Sequence, residues 1–244
     1  MIRKASVDAK AFSTALDQVS KVLRKSSIPV LSEVLVAISG GQCTLTATDI
    51  ETWLFQKIPA RGDDLSFVFR KTKDVAKACR LFDGELELEF SDTGEGKYRS
   101  LTLCMRCGGR AVEFEAMAAE DYPVCAPIKA KASFTVNAAA LLKRVELVGY
   151  AAGKPASTER ATCGNVQFSG KYVFALDGTR LACDTDESLI APRPFMTYAE
   201  SLSHLRMFGD QEVTVELGER QGVITNGTAS IIFRINGVDV YPVD

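Results

Sequence analysis

The stretch Phe174-Ala175-Leu176-Asp177-Gly178-Thr179-Arg180-Leu181-Ala182 has an earlier counterpart at Leu45-Thr46-Ala47-Thr48-Asp49-Ile50-Glu51. Each follows a small-residue turn, Ser169-Gly170 in one case and Ser39-Gly40-Gly41 in the other, then an apolar run that ends in an aspartate. Asp49 and Asp177 are 128 residues apart, and Gly41 and Gly170 are 129 apart. That spacing predicts two copies of one domain.

Working outward, the first copy opens with a helical pattern from Asp8 to Leu23, in which Phe12, Ala15, Leu16, Val19 and Leu23 share a face and Asp8 caps the start. Strand patterns follow over Ser32–Ile38 and Cys43–Ile50, joined at Gly40-Gly41, and over Trp53–Pro59. Arg61-Gly62-Asp63-Asp64 reads as a hairpin tip. After a strand over Leu65–Phe69, a second helix is expected over Thr72–Phe82 with Thr72 as its N-cap. Its apolar stripe is Val75, Ala78, Cys79 and Phe82, and Lys73, Lys77 and Arg80 fall opposite. Glu85-Leu86-Glu87-Leu88-Glu89-Phe90 alternates as a half-buried strand, and the copy closes at Asp121-Tyr122-Pro123-Val124.

The polar segment Ala126–Lys131 marks the boundary, giving domains 1–126 and 127–244. The pattern then restarts: strand Phe134–Val136, cap Asn137, and a helix carrying Leu141, Leu142, Val145 and Val148. Strands over Gly164–Phe168 and Tyr172–Leu176, a short helix over Tyr198–Phe208 and the alternation Glu212–Leu217 repeat the first copy. A hairpin is expected to turn at Asn226-Gly227, and Tyr241-Pro242 repeats Tyr122-Pro123. Two helices against antiparallel sheet in each domain make an α+β layered fold.

Several classes of function are excluded by what the chain carries. The only histidine is His204, which nearly excludes histidine-based triads and multi-histidine metal sites, since a Cys–His nucleophile would need a buried-looking cysteine beside that one residue. Asp49 and Asp177 occupy equivalent places in separate domains and form no catalytic pair. Seven cysteines, an odd number without framework spacing, argue against a disulfide-stapled secreted fold. The lone C-x-x-C, Cys104 to Cys107, lies in a strand pattern that points its thiols to opposite faces. No cofactor or metal is expected, and no apolar run reaches the length of a membrane span. A start that leads directly into an amphipathic pattern favours a cytoplasmic location. The formal charge of −2 gives no bulk nucleic-acid footprint, so a DNA role requires local segregation of charge.

These motifs together resemble the bacterial sliding clamp family, the beta subunit of DNA polymerase III. The resemblance is carried by Pro29-Val30-Leu31, Thr46-Ala47-Thr48-Asp49-Ile50-Glu51, Ala175-Leu176-Asp177-Gly178-Thr179-Arg180-Leu181-Ala182 and the two Tyr-Pro closures. It spans the whole chain, with Leu176 and Thr179 standing where the family usually has threonine and histidine. The resemblance implies a non-catalytic DNA-clamp fold whose helices face duplex DNA. Arg24, Lys25, Lys73, Lys77, Arg80, Lys143, Arg144, Lys154 and Arg160 are then the candidate phosphate contacts, and Glu85, Glu87 and Glu89 suit an outer surface. It also implies a pocket for a short peptide of a polymerase or clamp loader, carried over to Leu176, Gly178, Thr179, Arg180, Leu181 and Pro242. Family members have three such domains per chain and close a six-domain ring as dimers. Two domains here imply a trimeric ring, with head-to-tail contacts, or a clamp-like adaptor or inhibitor that binds replication proteins without encircling DNA. The trimer is the expectation.

Overall fold

In the computed structural model, which describes residues 1–94, 96–153 and 163–237, Asp8 both closes strand β1 (Ile2–Asp8) and opens helix α1 (Ala9–Val19). Its carboxylate accepts the Ala11 N–H at 2.8 Å, satisfying a donor that the first turn would leave unpaired. Asn137 does the same between β9 (Ala132–Asn137) and α3 (Ala138–Gly149), accepting the Ala140 N–H at 2.9 Å. A second bond repeats as well: the Ala9 N–H donates to the Gly84 carbonyl and the Ala138 N–H to the Gln211 carbonyl, both at 2.8 Å. Asp8 and Asn137 then pair with Glu85 and Glu212, the first residues of β6 (Glu85–Thr93) and β14 (Glu212–Leu217).

The chain divides into two units, Met1–Cys125 and Ala126–Asp244. The first continues through β2 (Leu35–Ser39), β3 (Gln42–Thr48), β4 (Thr52–Gly62), β5 (Leu65–Phe69) and α2 (Thr72–Cys79) to β7 (Ser100–Cys107) and β8 (Arg110–Met117). The second continues through β10 (Asn165–Gly170), β11 (Tyr172–Leu176), β12 (Leu181–Thr185), β13 (Ala191–Tyr198) and α4 (Ala199–Ser203) to β15 (Gln221–Thr225) and β16 (Ala229–Arg234). Each unit therefore has the same order of elements. In the first, β5-β2-β3-β4 and β1-β6-β7-β8 are antiparallel sheets, and in the second β13-β10-β11-β12 and β9-β14-β15-β16 correspond to them. One difference stands out: β4 has 11 residues and reaches β1, whereas β12 has 5 and pairs only with β11 among the described residues.

Helical spacing turns Phe12, Ala15, Leu16 and Val19 inward, and all four are fully buried. Val75, Cys79 and Phe82 form the corresponding stripe of α2 and the turn that follows it. Beneath them Phe67 lies 5.4 Å from both Phe69 and Phe90, ring centre to ring centre. Burial pushes the Cys43 and Cys79 thiols up to about 12, so both behave as apolar groups. Cys104 and Cys107 do lie on alternate faces of β7, and no group of three metal-ligating side chains occurs among the described residues.

Several expectations need correction. Strands β1, β12 and β13 were not foreseen, because their alternation is short or interrupted by prolines at 192 and 194. Thr72 is not the N-cap of α2. Lys71 holds that position, while the Thr72 hydroxyl accepts the Val34 N–H at 3.1 Å and its own N–H donates to Glu33 at 2.6 Å. Nor is Arg61–Asp64 a hairpin tip, since β4 and β5 are not neighbours. The segment instead fastens β1: the Asp63 N–H donates to the Lys4 carbonyl and the Asp63 carboxylate accepts the Lys4 N–H. Finally, the turn before β16 is centred on Gly227-Thr228, because the Asn226 N–H donates to the Ala229 carbonyl.

That turn belongs to a recurring device. Asn226 accepts from the Thr228 N–H, the Thr228 hydroxyl and the Ala229 N–H, and Asp177 accepts in the same way from Thr179 and Arg180. Gly227 and Gly178 follow with φ of +92° and +93°. At the matching place after Asp49, which accepts the Thr52 N–H at 2.8 Å, the residue with positive φ (+78°) is Ile50. A β-branched residue is strained there. By chemical denaturation, Ile50→Gly should stabilise the chain by up to about 1 kcal/mol, and Gly178→Ala should destabilise it by about 1 kcal/mol. In the same assay Phe12→Ala should cost roughly 3–5 kcal/mol through its cavity, and Asp8→Ala about 1 kcal/mol through the lost cap.

Candidate nucleic-acid interface and peptide site

The buried stripe of α2 fixes what its other side presents. Lys73, Lys77 and Arg80 are all exposed. Lys73 has no ion pair among the described residues. Lys77 reaches Asp74 one turn away at 3.2 Å, a solvated pair that phosphate can displace at small cost. Arg80 is more tightly held, donating to both carboxylate oxygens of Asp17 on α1 at 3.1 and 3.3 Å. In the loop after α1, Lys25 is exposed, and Arg24 pairs through Nε with Asp49 at 3.2 Å. Arg24 thus ties its loop to the first aspartate motif.

In the second unit the expected basic set breaks up. Lys143 is exposed on α3. Arg144 is not: its side chain is only 5% exposed, donating to Asp184 at 2.8 Å and to the Lys171 carbonyl at 3.0 Å. Its Nη1 has Asp186 at 3.9 Å. The helical period places residue 144 on the same face as Leu141 and Val148, so the guanidinium is turned inward and bridges α3 to β12. Arg144 is therefore removed from the candidate phosphate contacts. Lys154 and Arg160 lie outside the described residues. One basic residue escaped the sequence reading: Arg206, in the 3-10 turn His204–Phe208 after α4, reaches Glu146 on α3 at 2.5 Å. Its signal was the duplication itself, since it stands in the second copy where Arg80 stands in the first.

The acidic alternation belongs to a different element, β6. Glu85 and Glu87 are exposed, and Glu89 pairs with Lys4 at 2.9 Å. Asp49 and Asp177 each belong to their own unit and brace a loop. No helix among the described residues is long and apolar enough to cross a membrane.

At the candidate peptide site, Leu176 is buried under the loop and Gly178, Thr179 and Arg180 are exposed. The Leu181 side chain is a large apolar group left 63% exposed at the start of β12. The Arg180 guanidinium folds back onto Asp177 at 2.6 and 2.9 Å, which with the Thr179 bonds holds the Asp177 carboxyl far below the usual carboxylate range. The Nε and Nη2 donors of Arg180 are therefore engaged within the loop. Pro242 lies outside the described residues.

A family model described as DNA polymerase III beta subunit, N-terminal domain, matches residues 4–126. The beta sliding clamp of Pseudomonas aeruginosa is 22% identical over 238 residues, covering 91% of this chain and 62% of that protein. The chain thus spans less than two thirds of that relative's length. Among solved structures, the beta sliding clamp of C. crescentus has a TM-score of 0.83 at 19% identity, covering 98% of this chain and 66% of that one. The DNA polymerase III beta subunit of Thermotoga maritima gives 0.76 at 22%, over 97% and 65%. At these identities the likeness establishes a common fold.

Arg144→Ala should lower the stability of the chain by roughly 3 kcal/mol, since it leaves Asp184 facing a vacated buried site. Denaturation of the variant, together with binding to a labelled duplex below its melting transition, should separate this loss from any effect on DNA.

Proposed function

Because the chain belongs to the DNA polymerase III beta subunit family, we propose that it is a DNA sliding clamp or clamp-like processivity factor. It is a non-catalytic subunit that encircles duplex DNA and tethers a polymerase. The observation that carries this reading is the exposed Lys73–Lys77 face of α2, opposite a fully buried stripe and on a different element from the acidic β6. Lysines that meet phosphates and read no base edges hold DNA without choosing a sequence. Lys25 and Lys143 extend the basic set, with Arg24 and Arg80 available when they leave their carboxylates.

Polymerase and clamp loader would engage through a short linear peptide. Exposed Leu181 supplies apolar wall beside Gly178 and Thr179, and the aliphatic stem of Arg180 lies alongside. The part of Pro242 rests on the family resemblance. In a ring, three copies of these two units supply six domains in head-to-tail contact. The role places the protein in the cytoplasm.

The test combines mass and retention. Light scattering after size exclusion should give about three times the 26.5 kDa of one chain. The protein should also stay on a closed circular duplex and leave a linear one. Lys73→Glu with Lys77→Glu should weaken association with a labelled duplex by an order of magnitude or more at low salt, since it removes two phosphate contacts. A monomer at all concentrations, with no salt-sensitive association, would overturn the clamp reading and favour the adaptor.

A further inference from the structure

Each unit repeats one electrostatic arrangement that the duplication makes visible. Asp17 is nine residues beyond the cap Asp8, and Glu146 is nine residues beyond the cap Asn137, so the two carboxylates occupy equivalent positions on α1 and α3. Each reaches across to an arginine at the end of the second helix of its unit. Asp17 holds Arg80 at 3.1 Å and Glu146 holds Arg206 at 2.5 Å. Exposure repeats too: 42% and 62% for the side chains of the first pair, 50% and 64% for the second. The helices pack together in each unit without these exposed bridges: α1 lies against α2, with Phe12, Leu16, Val75 and Cys79 buried, and α3 against α4 and the 3-10 turn after it.

We propose that Asp17 and Glu146 are carboxylate latches on Arg80 and Arg206, which DNA phosphates must displace, and that they keep each helix pair's grip on DNA weak and exchangeable. The assignment deepens the clamp reading and rests on it. Each carboxylate takes only the Nη2 donor of its arginine, and a phosphate oxygen would take that same donor, so the two compete for it. A solvent-exposed ion pair contributes little to stability, so displacement is possible without a large barrier. The carboxylate stays beside the phosphate after displacement and repels it, which limits how long one contact lasts. A clamp that must slide gains from such contacts: the arginines steer the duplex, and the latches stop them from holding it in one register.

The experiment measures association with a fluorescein-labelled duplex by anisotropy across a salt series, for wild type, Asp17→Asn, Glu146→Gln and the double variant. Removing each latch should raise affinity about fivefold at low salt and steepen the dependence of log K on log salt by roughly one. Arg80→Ala and Arg206→Ala should do the reverse. A purely structural role for the pairs would change melting temperature but not the salt slope. Wild-type binding with an unchanged slope in folded double variant overturns the latches and leaves the clamp reading standing. No association by wild type or double variant overturns both, and association by the double variant alone supports the latches.

Discussion

Each unit depends on a joint at which one residue meets three elements. Asp8 and Asn137 end a strand, cap a helix and lie opposite the first residue of the strand that follows the second helix. The bond from Ala9 to Gly84, or from Ala138 to Gln211, adds a fourth constraint at the same point. Once the joint is made, the rotation of the helix about its axis is fixed relative to the sheet. That rotation decides which residues are buried, and therefore which face carries lysine. The cap alone contributes only about 1 kcal/mol. Its importance lies in setting a register that the much larger burial of Phe12, Leu16, Phe67 and Phe69 then makes irreversible on the scale of the domain's stability.

Much of this was legible in the sequence, for identifiable reasons. The spacing of the Asp49 and Asp177 motifs announced the duplication, and both caps were correctly located because aspartate and asparagine before an apolar period have one good explanation. Strong alternation in Glu85–Phe90 and Glu212–Leu217 gave their strands. Short strands escaped: β12 has one buried residue in five, Ala182, and its pattern is set by a neighbour and not by its own composition. Charge marks Arg144 as a surface residue, whereas helical phase sets it among the buried positions of α3. Its position on the Leu141–Val148 face already pointed inward, but nothing local to it identified Asp184, forty residues away, as its partner. Ion pairs across elements, such as Asp17 with Arg80, are invisible to periodicity for the same reason.

A net charge of −2 and a DNA-facing role are compatible only if charge is sorted by element. The sorting here is local and incomplete. Basic residues of α2 lie on one face and glutamates of β6 on a sheet, yet most arginines close to the helices are already matched by carboxylates. Lysine remains the more available cation, being a point charge on a flexible stem, whereas arginine is committed to bidentate partners. In the proposed clamp, such a surface would attract polyanions at long range and bind them loosely at contact.

The unequal lengths of β4 and β12 bear on how the two units open. In the first unit β1 joins β4 and β5 joins β8, so the two sheets are laced together along both margins. No strand there can detach without breaking ladders on two sides, which makes amide exchange a property of the whole unit. In the second, β12 ends at Thr185 and its described attachments are β11 and the Arg144–Asp184 bridge. Strands attached on one side generally open locally, at a free energy below that of global unfolding. The Asp177 clasp and exposed Leu181 thus stand beside a strand that, among the described residues, is paired on one side alone, whereas every strand of the first unit is paired on both.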